Sequence, residues 1–220
     1  MTIIDRTEKK DKLRKKDLNP FTDVKEMLSY PKLRKLAFIG ALANITTPLM
    51  ILVIPFVIIE KMGLTNAQLS VAVFMMGAAH ILQLFAGQVA DKIGKRRTIA
   101  IGLTISSIGL FGLFLAPTYE IILVALFVKA VGGSLFNISM WSYMSDIAEA
   151  NNIEGKVVGS YSSISRITIT ISFALGGFLL GILGVKIFLL YGFFIFLPVI
   201  IFSKMLFGKR MPLKKTPEEN

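Results

Sequence analysis

Apolar residues along the chain gather into six long blocks with short polar connectors between them. The blocks cover residues 36–59, 69–90, 98–117, 121–144, 159–183 and 187–207. Each is about 20 residues long, the length an α-helix needs to cross about 30 Å of hydrocarbon. The breaks fall at Gly63, Gly94, Pro117 and Gly184, residues that end or redirect helices. The pattern predicts an all-α membrane protein of six transmembrane helices.

Composition agrees. Of 220 residues, 54% are hydrophobic and only 18% charged, too apolar a balance for a soluble domain. There are no cysteines, which excludes disulfides and thiolate metal sites. The net charge of +11 first suggests nucleic acid or anionic lipid as a partner, and the placement of the charges decides between them. Twenty-one of the 25 lysines and arginines lie in residues 1–35, the second connector, the fourth connector and the segment from Lys204 onward. All four segments fall on one side, and the other side carries only Lys61 and Lys186. The positive-inside rule places both termini in the cytoplasm of a cell that carries the protein in its plasma membrane. Basic residues beside spans orient helices and attract anionic headgroups. No basic motif is interleaved with aromatics, so the expected partner is the lipid bilayer and not nucleic acid.

The expected organisation is a basic cytoplasmic tail over 1–35, a transmembrane domain over 36–207 and a short cytoplasmic tail over 208–220. The start is polar and charged without an apolar core, so no cleavable signal peptide is expected. Asn19 can cap a helix that Pro20 begins, with Phe21, Val24, Met27 and Leu28 on one face before Tyr30 and Pro31 end it. Such a helix would lie along the inner interface.

Gly87-Gln88-Val89-Ala90-Asp91-Lys92-Ile93-Gly94-Lys95-Arg96-Arg97 occupies the second connector. Gly87 lets helices approach and Gly94 permits a positive φ in a tight turn. A carboxylate at the C-terminal end of its own helix is disfavoured by the macrodipole, so Asp91 calls for an outside partner, either a basic side chain such as Arg96 or another helix N-terminus. In spacing and position the segment resembles the Gly-x-Leu-Ala-Asp-Arg-x-Gly-Arg-Lys/Arg signature of the major facilitator superfamily. The resemblance implies a gate motif of Gly87, Asp91, Gly94, Lys95 and Arg96, with Asp91 docking on a second six-helix half. The plain alternative is a basic turn that only sets topology. Lys129-Ala130-Val131-Gly132-Gly133 resembles the family's Arg-x-x-x-Gly element. Ala174-Leu175-Gly176-Gly177 resembles the end of its antiporter element, with Ser172 and Phe173 where Gly-Pro is usual.

Ionisable groups at bilayer depth are costly and need a reason. Lys129 lies nine residues past Glu120, about 13 Å into the span. It suits an anionic substrate or a charge cycle on one reading, and carbonyls of a broken helix on the other. Arg166 follows a serine-rich stretch and suits either a substrate pathway or snorkelling to the headgroups. His80 and Gln83 share a stripe with Gly87 and Asp91, and His80 could carry a proton or simply pack. Asn137 continues the fourth span inward from Lys129. Asn44, Thr46 and Thr47 before Pro48 mark a place for a kink. No carboxylate lies within a span, and no nucleophile and base constellation, metal site or cofactor motif is present, which argues against an enzyme.

The family resemblance implies two six-helix halves, each of two inverted three-helix repeats, with a small-molecule substrate between them. This chain matches one half of that fold. The expected function is secondary transport by alternating access as a half-transporter, joined by an identical chain or a separately encoded half. The alternatives are a non-transporting scaffold or regulatory subunit, and a truncated fragment of a transporter.

Overall fold

A computed structural model describes residues 20–207, and every regular element among them is helical. Asn19 and the charged ends, 1–19 and 208–220, lie outside the described residues. The short helix α1 (Pro20–Ser29) is followed at once by α2 (Pro31–Asn44). Of the apolar face expected on α1, Met27 is fully buried and Leu28 packs on the core, whereas Phe21 is 82% exposed. Glu26 pairs with Lys156 at 2.8 Å, so α1 is held against the start of a later helix.

The first expected span breaks where its prolines fall. α2 stops at Asn44, and tight bonds from the Thr46 amide to the Ala43 carbonyl and from the Thr47 amide to the Asn44 carbonyl carry the chain to Pro48. Two π-helical turns follow, Leu49–Val53 after Pro48 and Phe56–Lys61 after Pro55. A proline has no amide to give the carbonyl four residues back, and the ladder after each one runs in the wider π register.

The second expected span is also interrupted. Its first part, α3 (Asn66–Ala78), starts with a reciprocal capping box between Thr65 and Gln68. After a 3-10 turn, Ala79–Leu82, α4 (Gln83–Ile93) leaves at 45° to α3. A hydroxyl from another helix supports the bend, with Ser134 Oγ donating to the Ala79 carbonyl at 3.3 Å.

The centre of the bundle is α5 (Lys95–Leu115), packed along α6 (Tyr119–Glu149) in the most extensive interface of the chain. Glycines permit that closeness. A Cβ on Gly102 would sit 2.6 Å from the Phe136 amide nitrogen, and one on Gly132 would strike the Ser106 backbone. Residues four apart on α6 thus meet the same small patch of α5, the close-approach packing that small residues permit in lipid. On another side α5 meets α8 (Ile187–Ile201), where Ser107 Oγ donates to the Gly192 carbonyl at 3.2 Å. Leu103 and Leu110 of α5 and Phe188 and Tyr191 of α8 are all buried.

α7 (Glu154–Leu183) reaches α8 through Gly184, whose φ of 52° and ψ of −132° interrupt the helical path. A last turn, α9 (Ser203–Phe207), ends the described chain. The fourth expected connector, 145–158, shrinks to residues 150–153, because α6 continues to Glu149 and α7 starts at Glu154. Most of its polar residues belong to the two helices, and those left in the turn fit it locally. Asn151 Nδ2 donates to the Ile147 carbonyl at 2.6 Å, and Asn152 takes the positive φ of 54°.

Among the described residues three helical runs are long and apolar enough to cross a membrane: α5, α6 and the 48-residue run Glu154–Ile201. The bent α3 and α4 pair makes a fourth if taken as one span. The expected six are therefore not all met by length and hydropathy, since proline breaks the first block, a bend divides the second, and the fifth and sixth form one run.

Candidate functional site

The turn between α4 and α5 depends on one residue. Gly94 has φ 100° and ψ 128°, open to glycine and closed to most side chains. Its carbonyl then accepts from the Thr98 amide at 3.1 Å and from Thr98 Oγ1 at 3.2 Å, which starts α5. The turn delivers two cations in sequence to two different elements. Lys95 Nζ lies 2.7 Å from both carboxylate oxygens of Asp146 near the end of α6. Arg96 Nη1 donates to the Met205 carbonyl of α9 at 3.0 Å. Asp91, one turn before, is exposed and has no ion-pair partner among the described residues. A Cβ added at Gly87 would find nothing within 4 Å among the described residues.

The expected stripe of His80, Gln83, Gly87 and Asp91 is cut by the bend. His80 sits inside the 3-10 turn, exposed, with Nδ1 3.0 Å from the Met76 carbonyl. A carbonyl can only accept, so Nδ1 carries the proton in that contact. Gln83 begins α4 and is half-buried. Lys129 is half-buried, its backbone pressed against Gly109 and its ammonium without an ion pair among the described residues. Asn137 on α6 and Arg166 on α7 are both exposed. No hydrogen bond or ion pair joins His80, Gln83, Lys129, Asn137 and Arg166 to one another.

The glycine elements divide in the same way. Gly132 packs on α5, while Gly133 meets nothing within 4 Å. Gly176 packs against Pro48 and the Tyr191 hydroxyl, whereas Gly177 and Gly181 face open space on α7. The serine and threonine stripe of α7 turns on itself, with Thr168 donating to the Ile164 carbonyl at 2.9 Å and Ser172 to the Thr168 carbonyl at 2.6 Å.

Sequence reasoning missed Asp146 by assigning it to a loop. The signal was present: an acidic residue shortly after the fourth block, on the same side as the basic turn. It also missed the contact of Trp141 with Tyr161, whose rings meet edge to face at 4.9 Å and join α6 to α7. Beside that pair a cleft of about 380 Å³ opens between the two helices, lined by Trp141, Ser145, Asp146, Glu154 and Val158 among others. No group of His, Asp or Glu among the described residues is placed to hold a metal ion.

Comparison with known proteins agrees with the motif. Over 116 residues the chain is 33% identical to an uncharacterized MFS-type transporter, YwfA, of Bacillus subtilis (strain 168), a stretch that is 52% of this chain and 27% of that protein. Over 84 residues it is 34% identical to a second uncharacterized MFS-type transporter of that organism, YfnC, which is 37% of this chain and 20% of the relative. The matched stretches thus span well under half of either relative. The Major Facilitator Superfamily profile matches residues 36–220, everything after the N-terminal tail. This chain, whose described residues form only helices and include apolar helices long enough to cross a membrane, belongs to the Major Facilitator Superfamily.

Proposed function

We propose that the chain is one six-helix half of a secondary transporter that moves a small solute by alternating access, and that it works with a second half. The observation that carries this reading is Asp91: it sits in the family's gate motif, yet its carboxylate is exposed and has no ion pair among the described residues while Lys95 and Arg96 are engaged. A second half, from another copy or another chain, would supply the helix end that Asp91 requires.

The six-span reading rests on the helical runs. A continuous helix of 48 residues would be about 72 Å long, more than twice the hydrocarbon thickness, and Gly184 interrupts it where a return is needed. On this reading α2 with its π turns, α3 with α4, α5, α6, α7 and α8 each cross once. The Gly94 turn, the 150–153 loop, α1 and α9 then share the cytoplasmic face of the plasma membrane, the side that the basic residues favour. Lys129, Asn137, Arg166, His80 and Gln83 would border the pathway.

Reconstitution tests the reading. The purified full chain in liposomes, cross-linked in native membranes beforehand, should be trapped as a pair and should support saturable counterflow of a solute drawn from a mixed panel. A chain that is monomeric and still catalyses saturable flux would overturn the half-transporter. A paired chain with no flux for any solute would favour the non-transporting scaffold.

A further inference from the structure

At one end of the bundle two elements each set cations beside an exposed phenylalanine. α2 buries Leu33, Leu36 and Ala37 and leaves Arg34, Lys35 and Phe38 exposed. At about 100° per residue, Arg34 lies about 40° to one side of Phe38 and Lys35 about 60° to the other, so both flank the ring one turn nearer the start of the helix. The short α9 repeats the arrangement. Leu206 is fully buried there, whereas Lys204 and Phe207, three residues apart and so on one side of the turn, are exposed.

Two contacts bring these elements together. Phe38 meets Phe202, the residue between α8 and α9, edge to face with ring centroids 6.1 Å apart. Deeper in the bundle a Cβ on Gly176 would lie 2.9 Å from the Pro48 ring and 3.2 Å from the Tyr191 hydroxyl, so Pro48 and Tyr191 are neighbours too. Going forward from Phe38 to Pro48 is thus going backward from Phe202 to Tyr191, and the two segments run antiparallel. The residues before Phe38 and those after Phe202 lie on the same side of the aromatic pair, which gathers Arg34, Lys35 and Lys204 at one end. α9 is fixed in this place. The amides of Met205 and Leu206 both donate to the Phe202 carbonyl at 2.9 Å, and Arg96 Nη1 holds the Met205 carbonyl.

The three cations are uncompensated. No hydrogen bond or ion pair engages the side chains of Arg34, Lys35 or Lys204 among the described residues, and neither α2 nor α9 carries a carboxylate. Glu26 on the adjoining α1 is taken by Lys156, and Asp146 by Lys95. A solvated basic face alone would have no use for exposed rings beside it. Cations above and phenylalanines below match the level at which the phosphates of a membrane give way to its acyl chains.

We propose that Arg34, Lys35 and Lys204, together with Phe38, Phe202 and Phe207, form a site for one anionic phospholipid, its phosphate held between α2 and α9 and its acyl chains against the rings. The Arg34 guanidinium offers the phosphate paired donors, and the two lysines add point charges. A choline headgroup would carry its own cation into the same cluster and bind less well. The lipid joins the first apolar block of the chain to the last, a link that goes beyond the half-transporter reading and asks nothing of transport.

Native mass spectrometry of the full chain in detergent tests the site. The probes are dimyristoyl phosphatidylglycerol, dimyristoyl phosphatidylcholine as its zwitterionic counterpart, and glycerol 1-phosphate as a phosphate without acyl chains. One saturable phosphatidylglycerol adduct is expected, at least about tenfold tighter than the phosphatidylcholine adduct and not displaced by glycerol 1-phosphate. Each charge removed from the site should weaken it about fivefold, so Lys204→Gln costs that factor and the double change Arg34→Gln, Lys35→Gln about 25-fold. Lys32→Gln, about 120° round α2 from Phe38, and Lys61→Gln, after the second π turn, should leave it unchanged. If the α2 double variant does not fold, Lys204→Gln decides alone, because that exposed side chain makes no contact the fold needs. Equal affinity for the two lipids, or a phosphatidylglycerol affinity indifferent to Lys204→Gln and to the α2 changes, overturns the site. Equal weakening by Lys32→Gln and Lys204→Gln would reduce it to diffuse charge attraction, and displacement by glycerol 1-phosphate would give the cations to free phosphate. Either result also sinks the proposal.

Discussion

Lys95 Nζ lies 2.7 Å from each carboxylate oxygen of Asp146, an ion pair between the first residue of α5 and the last turn of α6. The Gly94 turn places the lysine, and the extension of α6 beyond its apolar block places the aspartate. The two helices are then joined at one end by charge and along their length by glycine contacts.

That pair should be measurable but modest. Both side chains are partly exposed, 23% for Lys95 and 34% for Asp146, so solvent screens much of the attraction. Lys95→Met and Asp146→Asn are each expected to lower stability in a mild detergent, with a coupling energy of about 0.5–1 kcal/mol in a double-mutant cycle. The coupling should shrink as salt is raised. A coupling near zero at low salt would remove the pair from the account of the fold.

The glycine crossing should be far more sensitive. Gly102→Ala puts a methyl 2.6 Å from the Phe136 amide nitrogen, where only backbone could yield. The expected cost is about 1–3 kcal/mol in a denaturant titration of the full chain. Gly133→Ala, next to the packed Gly132 and with nothing within 4 Å, should be close to neutral. Equal behaviour of the two variants would mean that α5 and α6 do not cross here.

How much of this was legible in the sequence differs by feature. Gly94 was readable, because a glycine between two apolar blocks and before a basic cluster has few other uses, and its φ of 100° agrees. The breaks in the first two blocks were less so. Pro48 announced a kink, but the π turns after Pro48 and Pro55 depend on which carbonyls find new donors, and the bend after Ala78 carries no proline or glycine at the break itself. Asp146 was hidden by hydropathy, which ends a span where apolarity ends, whereas a helix ends where its hydrogen bonds do. Exposure was not readable at all. Arg166 and Asn137 appear in the sequence as isolated polar residues, and both prove to be exposed.

Topology offers a test of the whole membrane reading. Twenty-one basic residues in the tails and the even connectors, against Lys61 and Lys186 in the odd ones, are the basis for the proposed cytoplasmic placement of both ends. Alkaline phosphatase fused after residue 220 should be inactive in a bacterial host, and a fusion within residues 62–65 should be active. An active C-terminal fusion would reverse the sidedness assigned to the Gly94 turn.

Asp91 is the sharpest point at which a gate and a plain turn separate. Its carboxylate closes no ion pair among the described residues, and it lies near the C-terminal end of α4, where the helix field disfavours a negative charge. If the side chain serves only the turn, Asp91→Asn should do nothing or stabilise slightly, because a charge leaves an unfavourable position and the shape is kept. If it docks on a second half, the same change should leave insertion and melting unaltered but shift the balance between inward-open and outward-open states. A cysteine introduced at the exposed Thr170 of the cysteine-free chain would report that balance through its rate of labelling by a membrane-impermeant maleimide in inside-out vesicles. At least about a threefold rise in that rate is expected for Asp91→Asn, the loss of roughly 0.7 kcal/mol or more from the closed state. An unchanged rate, with melting unchanged as well, would assign Asp91 to the turn and move the search for the gate elsewhere.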